Sequence, residues 1–380
     1  MSKILILANS SSGLYDFRGE VLQKLIDNSY DIVVSVPDYT KVPEIEKLGC
    51  RVINTCINRR GVNPKEDYKL FKAYIKLLRD EHPDLVMTYT IKPNIYGGYA
   101  CSKLGIPYIS TITGLGSAFQ WNGFKKKFIV LMYKAGLKKC RCVFFQNREN
   151  MQIFEELGIK GCDSRLVNGS GVNLQKHKFE SYEGHEGDTT SFLYIGRFMK
   201  EKGSDELLSA AKMLKDKYAD KVAVSAMGYP DEDYEDKMSK AQKEGYLEVI
   251  PFQKDVHPFI KEADAIVMPS YHEGMSNVIL EASSTGRPVL ASDISGCKEG
   301  VDNNVTGYLF SPRDSIALFE SMDKFMKLKK EDRVKMGLAA RAKMEREFDR
   351  EKVAESYLSK IKSIIITSND LAISHPKSPK

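Results

Sequence analysis

The sequence predicts an α/β protein built as two doubly wound domains, and three observations carry that expectation. Short apolar runs of strand length alternate with helical segments almost without interruption. The alternation pauses once, at Asn168-Gly-Ser-Gly-Val-Asn173 and the polar stretch through Thr190, and then restarts. At 380 residues, the chain is also too long for one ordinary core. Such alternation implies parallel strands with right-handed crossovers. Two domains of this kind are expected to face a central cleft at the carboxyl ends of their strands.

In order, Ile4–Ala8 reads as the first strand, followed by the loop Asn9–Gly13 and a helix over about Phe17–Asn28. Asp31–Val36 and Arg51–Asn54 are the next strands. From Pro64 to His82, Phe71, Tyr74, Ile75 and Leu78 keep helical spacing. Leu85–Thr88, Tyr108–Thr113 and Val143–Phe145 complete the first sheet. The second restarts with Phe192–Ile195, Val222–Met227, Leu247–Ile250, Ala265–Met268 and Pro288–Ala291. The expected domains are therefore 1–170 and 171–349, with a helix over 350–366 and a disordered tail over 367–380.

Composition narrows the function classes. Hydrophobic content of 42% and charged content of 28% are those of a globular protein rather than a disordered one. The N-terminus lacks a signal peptide's apolar length, and no apolar run approaches a membrane span. The seven cysteines are scattered without a C-x-x-C pair, which argues against a zinc site or disulfide framework and fits a reducing cytosol. The net charge of +6 is concentrated in 121–141, where Lys125, Lys126, Lys127, Lys134, Lys138, Lys139 and Arg141 face no acid and Trp121 is the only tryptophan. Such a basic amphipathic helix suits an anionic membrane surface, and a solvated basic face is the competing reading. No nucleic-acid motif accompanies it.

The second domain carries the chemistry. Tyr194-Ile-Gly-Arg-Phe-Met-Lys-Glu-Lys-Gly-Ser-Asp205 ends a strand and opens a helix. Gly196 permits close backbone approach, and Arg197 and Lys202 set two cations where a diphosphate could lie, beside a helix N-terminus. A structural turn is the alternative. Met268-Pro-Ser-Tyr-His-Glu-Gly-Met-Ser-Asn-Val-Ile-Leu-Glu-Ala282 places Glu273 in a strand-to-helix loop and Glu281 inside the helix. Amides of Gly274, Met275 and Ser276 are expected to point at an anionic oxygen. The two carboxylates could hold separate hydroxyls of one ligand; a surface Glu281 paired with lysine is the bland alternative.

Glu273-x7-Glu281, with Pro269-Ser270 before it and Gly286-Arg-Pro-Val-Leu-Ala291 after it, resembles the retaining glycosyltransferases of family 4. Gly196-Arg197 with Lys202-Gly203 is similar to that family's phosphate loop, and Asn168–Asn173 to its interdomain segment. The resemblance spans nearly the whole chain. It implies the GT-B fold, two Rossmann-like domains facing a cleft, with 1–170 binding acceptor and 171–349 binding donor. It implies that Arg197 and Lys202 hold the donor diphosphate, Glu281 the ribose and Glu273 the transferred sugar, with Phe252 near the base. It further implies that catalysis needs no cofactor or metal, the UDP-sugar being a substrate.

In the N-terminal half, Gly13 keeps its place after the first strand, where the resemblance implies a contact to the nucleotide-sugar, and Arg18 opens the first helix. Thr113-Gly114 stands where many relatives carry a histidine. The Thr-Gly-Leu-Gly variant, with Phe17-Arg18, resembles the branch acting on polyprenyl-diphosphate-linked sugars in capsule, O-antigen and glycan assembly. The implied acceptor is a lipid-linked saccharide, with Arg18, Lys92 and Thr113 as candidate acceptor residues, joined by Arg59 and Arg60. The implied sugar is an N-acetylhexosamine. The implied location is cytoplasmic, peripheral on the inner face of the cell membrane, with 121–141 as the membrane contact. A sugar-nucleotide epimerase of the same fold and a catalytically silent partner subunit are the competing classes.

Overall fold

The computed structural model describes residues 1–58, 63–115, 119, 123–182, 188–231 and 233–374. Two compact units divide the chain: Met1–Ser170 with Arg350–Lys380, and Gly171–Asp349.

The first unit runs β1 (Lys3–Leu7), α1 (Ser11–Asp27), β2 (Asp31–Val36), α2 (Val42–Lys47), β3 (Arg51–Asn54), α3 (Pro64–Glu81) and β4 (Leu85–Tyr89). A π-helical turn at Pro93–Gly97 leads into α4 (Gly98–Leu104), then β5 (Tyr108–Ile112), α5 (Phe124–Leu137), β6 (Cys142–Phe145), α6 (Arg148–Glu156) and β7 (Ser164–Leu166). The second unit runs β8 (Thr190–Ile195), α7 (Ser204–Tyr218), β9 (Val222–Gly228), α8 (Tyr234–Lys243), β10 (Glu248–Pro251), α9 (His257–Glu262) and β11 (Ala265–Met268). It closes with α10 (Asn277–Thr285), β12 (Val289–Ser292), β13 (Gly307–Phe310), α11 (Ser315–Met326) and α12 (Lys330–Lys343), after which α13 (Arg350–Ser374) returns to the first unit.

Both sheets are parallel throughout, in the orders β3-β2-β1-β4-β5-β6-β7 and β10-β9-β8-β11-β12-β13. Strand order therefore reverses between β1 and β4 and again between β8 and β11. Connections leave those neighbours toward opposite sides, and a crevice opens beyond their carboxyl ends. The strands are near-continuous apolar runs because helices cover both faces. In the first unit, α1, α2 and α13 bury Ile4, Ile6 and Val34 on one side. Helices α3, α4 and α5 bury Leu5, Leu7 and Val86 on the other.

The first helix begins at Ser11, not near Phe17 as its sequence suggests. Ser and Gly are weak helix formers, so propensity hides this first turn. It is held instead by Ser10, which accepts from the Gly13 amide at 3.3 Å, and by Asp38, which accepts from the Ser11 amide at 3.0 Å. Although burial opposes it, donation from the Ser11 hydroxyl, the Ser11 amide and Thr40 holds the Asp38 carboxyl below its ordinary range. Two edge strands, β7 and β13, extend the sheets beyond the expected count. The final helix continues through 367–374, where the sequence predicts a disordered tail, because the weak helix formers Thr367, Ser368, Asn369 and Asp370 mask the extension. Residues 375–380, Arg59, Arg60 and Trp121 lie outside the described residues.

Candidate active site

The second unit's switch point brings together two loops distant in sequence. The first, 196–203, leaves β8; the second, 269–276, leaves β11. Their approach is backbone to backbone. Gly203 adopts φ +71°, and a Cβ there would lie 2.1 Å from the Pro269 carbonyl oxygen. The Tyr271 amide donates to the Glu201 carbonyl at 2.9 Å. This contact sets Lys202 Nζ 2.5 Å from Glu273 Oε1, with both side chains largely shielded from water. Behind Glu273, Gly296 allows the loop to close, since a Cβ there would meet the Glu273 carbonyl at 2.6 Å. Tyr271 also donates its hydroxyl to Glu206 at 2.7 Å. Burial, reinforced by that carboxylate, pushes the phenol upward, so it remains a protonated donor.

Gly196 lies against Gly228, whose Cβ would fall 1.9 Å from the Gly196 carbonyl. The loop's next residue, Arg197, donates from Nη1 to Asp231 at 2.7 Å, and its carbonyl accepts from the Tyr194 hydroxyl at 2.8 Å. Asp231 gave no signal in the sequence because it reaches Arg197 from the loop after β9. Glu281 lies on α10, with Oε1 3.8 Å from the buried His177 ring, a partner that sequence spacing also missed. Phe252 is 61% exposed and pairs edge-on with Tyr229 at 6.2 Å, so both rings reach solvent beyond β9 and β10.

Not every expected amide is available. Ser276 donates its amide to the Gly296 carbonyl at 2.9 Å and caps α10 through its hydroxyl, because the loop must turn before the helix starts. Met275 buries its side chain with Val172, Leu280, Met344 and Phe348. Gly274 precedes it in the same loop. Arg287, from the Gly-Arg-Pro stretch, is fully buried and donates to the Lys261, Glu180 and Ser181 carbonyls. It braces the chain rather than facing a ligand.

In the first unit, Arg18 and Thr113 are joined and Lys92 stands elsewhere. Arg18 is only 4% exposed. Its Nη1 donates to the Phe17 carbonyl at 2.7 Å, and its Nη2 to the Gln146 amide oxygen at 2.6 Å. Gln146 in turn donates to the Thr113 carbonyl at 3.3 Å. Lys92 instead pairs with the buried Asp67 at 2.8 Å. That pair borders a cavity of about 660 Å³ lined by Leu70 and Leu77. Gly13 sits inside α1 with room for a Cβ, which would make only an ordinary 3.6 Å contact.

Chemically, the 196–203 and 269–276 loops offer two cations, Arg197 and Lys202, and the Glu273 carboxylate, next to the first turns of α7 and α10. An ammonium has three donors, so Lys202 can hold Glu273 and still serve an anion. Fixed cations of this kind stabilise negative charge developing on a leaving group. Among the described residues, no group of three or more His, Cys, Asp or Glu side chains could hold a metal ion, and no helix is long and apolar enough to cross a membrane.

Two family models match the chain: glycosyl transferase 4-like over residues 3–147 and glycosyl transferases group 1 over residues 175–343. The chain is 27% identical over 373 residues to the N,N'-diacetylbacillosaminyl-diphospho-undecaprenol α-1,3-N-acetylgalactosaminyltransferase of Campylobacter jejuni, covering 94% of this chain and 97% of that protein. It is 27% identical over 276 residues to an Escherichia coli UDP-Gal:α-D-GlcNAc-diphosphoundecaprenol α-1,3-galactosyltransferase, covering 67% and 69%. The crystal structure of Anabaena Alr3699/HepE in complex with UDP and glucose superposes with a TM-score of 0.78 at 17% identity, covering 96% of this chain and all of that one. Two parallel α/β units, each with its own family match, make the chain a GT-B glycosyltransferase: its N-terminal part belongs to the glycosyl transferase 4-like family and its C-terminal part to glycosyl transferases group 1.

Proposed function

We propose that the chain transfers a sugar, an N-acetylhexosamine, from a UDP-sugar to a lipid-diphosphate-linked saccharide, with retention at the anomeric carbon and without a metal, in surface polysaccharide or glycan assembly. The observation that carries this reading is the Lys202–Glu273 contact at the β8/β11 switch point, with Arg197 on the same loop as Lys202. In the reaction, the bond from sugar C1 to the diphosphate oxygen breaks, and an acceptor hydroxyl bonds to C1 from the same face. The hydroxyl proton leaves on the departing diphosphate. Arg197 and Lys202 neutralise the developing charge, while Glu273 holds the sugar and Glu281 the ribose hydroxyls. The exposed Phe252 is available to the base. The names of the two bacterial relatives support a polyprenyl-diphosphate acceptor, and the UDP-bound structural neighbour supports the nucleotide.

On the acceptor side, Arg18 acts through Gln146 to fix the Thr113 loop, and Lys92, held by Asp67, borders a separate cavity where an acceptor phosphate could reach it. A lipid-linked acceptor stays in the membrane, which assigns α5 a peripheral docking role at the inner face.

The test combines purified protein, UDP-N-acetylhexosamines and UDP-hexoses, and an undecaprenyl-diphosphate saccharide. UDP release that requires acceptor, persists in excess chelator and fails with Glu273→Ala is the expected result. UDP-sugar interconversion without acceptor would identify an epimerase instead, and full transfer by Glu273→Ala would remove the catalytic assignment.

A further inference from the structure

On α10, Ser284 and Thr285 follow Glu281 by three and four residues, so the three share one face of the helix. The stretch 173–180 is tied to that face by its backbone. The Ser284 hydroxyl donates to the His177 carbonyl at 2.6 Å, and the Glu180 amide donates to the Thr285 carbonyl at 3.0 Å. From α12, Arg341 Nη1 donates to the His177 carbonyl at 3.0 Å and to the Ser284 carbonyl at 2.8 Å, which joins stretch and helix a third time. The His177 amide in turn donates to the Asn173 carbonyl at 2.9 Å. His177 is therefore fixed at its amide and at its carbonyl, and its ring is set against Glu281.

That ring is buried, and its Nε2 lies 3.8 Å from Glu281 Oε1. It also packs edge-on against His257, the first residue of α9, with 5.9 Å between ring centres. His257 is occupied at both nitrogens: Nε2 lies 3.1 Å from Glu180 Oε1, and Nδ1 lies 3.3 Å from the Thr285 hydroxyl. Although burial opposes it, His257 and Lys178 hold the Glu180 carboxyl below its ordinary range, so Glu180 keeps its charge beside His257. Thr285 donates its own proton to the Glu281 carbonyl at 2.8 Å. His257 is thus committed elsewhere, and His177 is the imidazole that faces the Glu281 carboxylate.

Burying an imidazole is costly without a polar or charged neighbour, and an apolar ring would fill the same space at no such cost. The neighbour here is the carboxylate assigned to the ribose. At 3.8 Å the contact is a charge pair and not a hydrogen bond, so it steadies Glu281 while leaving its oxygens able to accept from hydroxyls. We propose that His177 is a positioning residue for the donor. It fixes Glu281 in the orientation that receives the ribose hydroxyls, and His257, held by Glu180 and Thr285, fixes His177 in turn. This role rests on the ribose assignment of Glu281 and names the groups behind it.

The test compares UDP with its 2′,3′-dideoxy analogue, which lacks both hydroxyls that Glu281 would hold, by calorimetric titration. The unaltered chain should prefer UDP by about tenfold to a hundredfold, the range for hydrogen bonds to a charged group. Glu281→Ala should remove that preference. His177→Phe keeps a ring in the space without its nitrogens and should remove most of it. UDP binding should weaken by about fivefold or more, and binding of the dideoxy analogue should stay within about twofold. His177→Ala should do the same, and serves where the larger ring lowers the melting temperature. Adding His177→Phe to Glu281→Ala should cost nothing further, because His177 acts through that carboxylate. A loss shared equally by both nucleotides would make His177 a packing residue and overturn the proposal. So would a preference that both His177 variants keep while Glu281→Ala removes it. A preference that survives Glu281→Ala would instead overturn the ribose assignment, and the role of His177 with it.

Discussion

Glu273 and Lys202 each set the charge that the other presents, because their oxygen and nitrogen lie 2.5 Å apart and largely out of water. A bound diphosphate must share Lys202 with that carboxylate. Glu273→Gln should therefore tighten binding of free UDP by about threefold to tenfold, since it removes a negative charge beside the phosphates. The same change should lower kcat by about two to three orders of magnitude. Lys202→Ala should weaken both. Calorimetric titration beside turnover measurement checks the pair, and equal loss of both properties in Glu273→Gln would show that the carboxylate serves only to place the loop. Gly203 supplies a backbone test at the same point. Gly203→Ala forces a side chain at φ +71° into the Pro269 carbonyl and should destabilise the second unit by more than about 2 kcal/mol, read by chemical denaturation. Much of this site was legible in the sequence, because Gly196, Arg197, Lys202, Glu273 and Glu281 sit in two short local patterns. Asp231, His177 and the Tyr271–Glu206 pair were not, because each arrives through a contact between loops that no local spacing encodes.

At the scale of elements, α7 and α11 are clamped by one carboxylate. Asp323 on α11 accepts from the Tyr218 hydroxyl at 2.7 Å and from Lys327 at 2.6 Å, and also from Lys217. Burial opposes ionisation, yet these donors hold the carboxyl down at about 2 against an ordinary 3.8. The folded state thus favours ionised Asp323 more than the unfolded chain does. The stabilisation is complete above the ordinary value and disappears as pH falls through it toward 2. Both lysines reach water, so the contribution is on the order of 1 kcal/mol rather than the full value of the shift. Asp323→Asn should lower the second unit's melting temperature at pH 7, with the difference closing by about pH 2. A difference independent of pH would mean that the amide disrupts packing instead. Strand and helix identity followed the apolar pattern well where runs are long, as in β2 and β9. Periodicity failed at β7, where Ser164–Leu166 is short and polar, and at the start of α1, where Asp38 supplies from another loop what local propensity lacks.

At the scale of the molecule, the chain leaves the first unit at Ser170 and re-enters it at Arg350, so its last helix completes its first core. Val172 marks the outward passage, and its amide donates to Phe348 on the return at 2.8 Å. Arg350 then anchors α13 to α1 through the Asp16 carbonyl at 2.9 Å and Glu20 at 3.1 Å. Further along, Tyr357 packs on Phe144 at 4.3 Å between ring centres, and Lys360 pairs with Asp163 at 2.8 Å. Tyr357, Leu358 and Ile361 are essentially buried in the α1 side of the sheet. At about 1.5–3 kcal/mol for each large apolar side chain, their burial together contributes as much as the net stability of a typical domain. A chain ending at Asp349 should therefore lose the first unit's cooperative fold. Its second unit keeps all of its own core residues, including those around β8 and β11. Hydrogen exchange on the truncated chain should show lost protection in β1, β4 and β5 but retained protection in β8 and β11. UDP affinity should stay within about threefold, because the charged residues assigned to the donor all lie between Gly196 and Glu281 and mutational effects at distant sites are independent. Transfer should be abolished. Retained transfer would show that the acceptor's contacts lie in the second unit. Lost UDP binding with an intact β8–β11 core would show that the first unit contributes directly to the nucleotide.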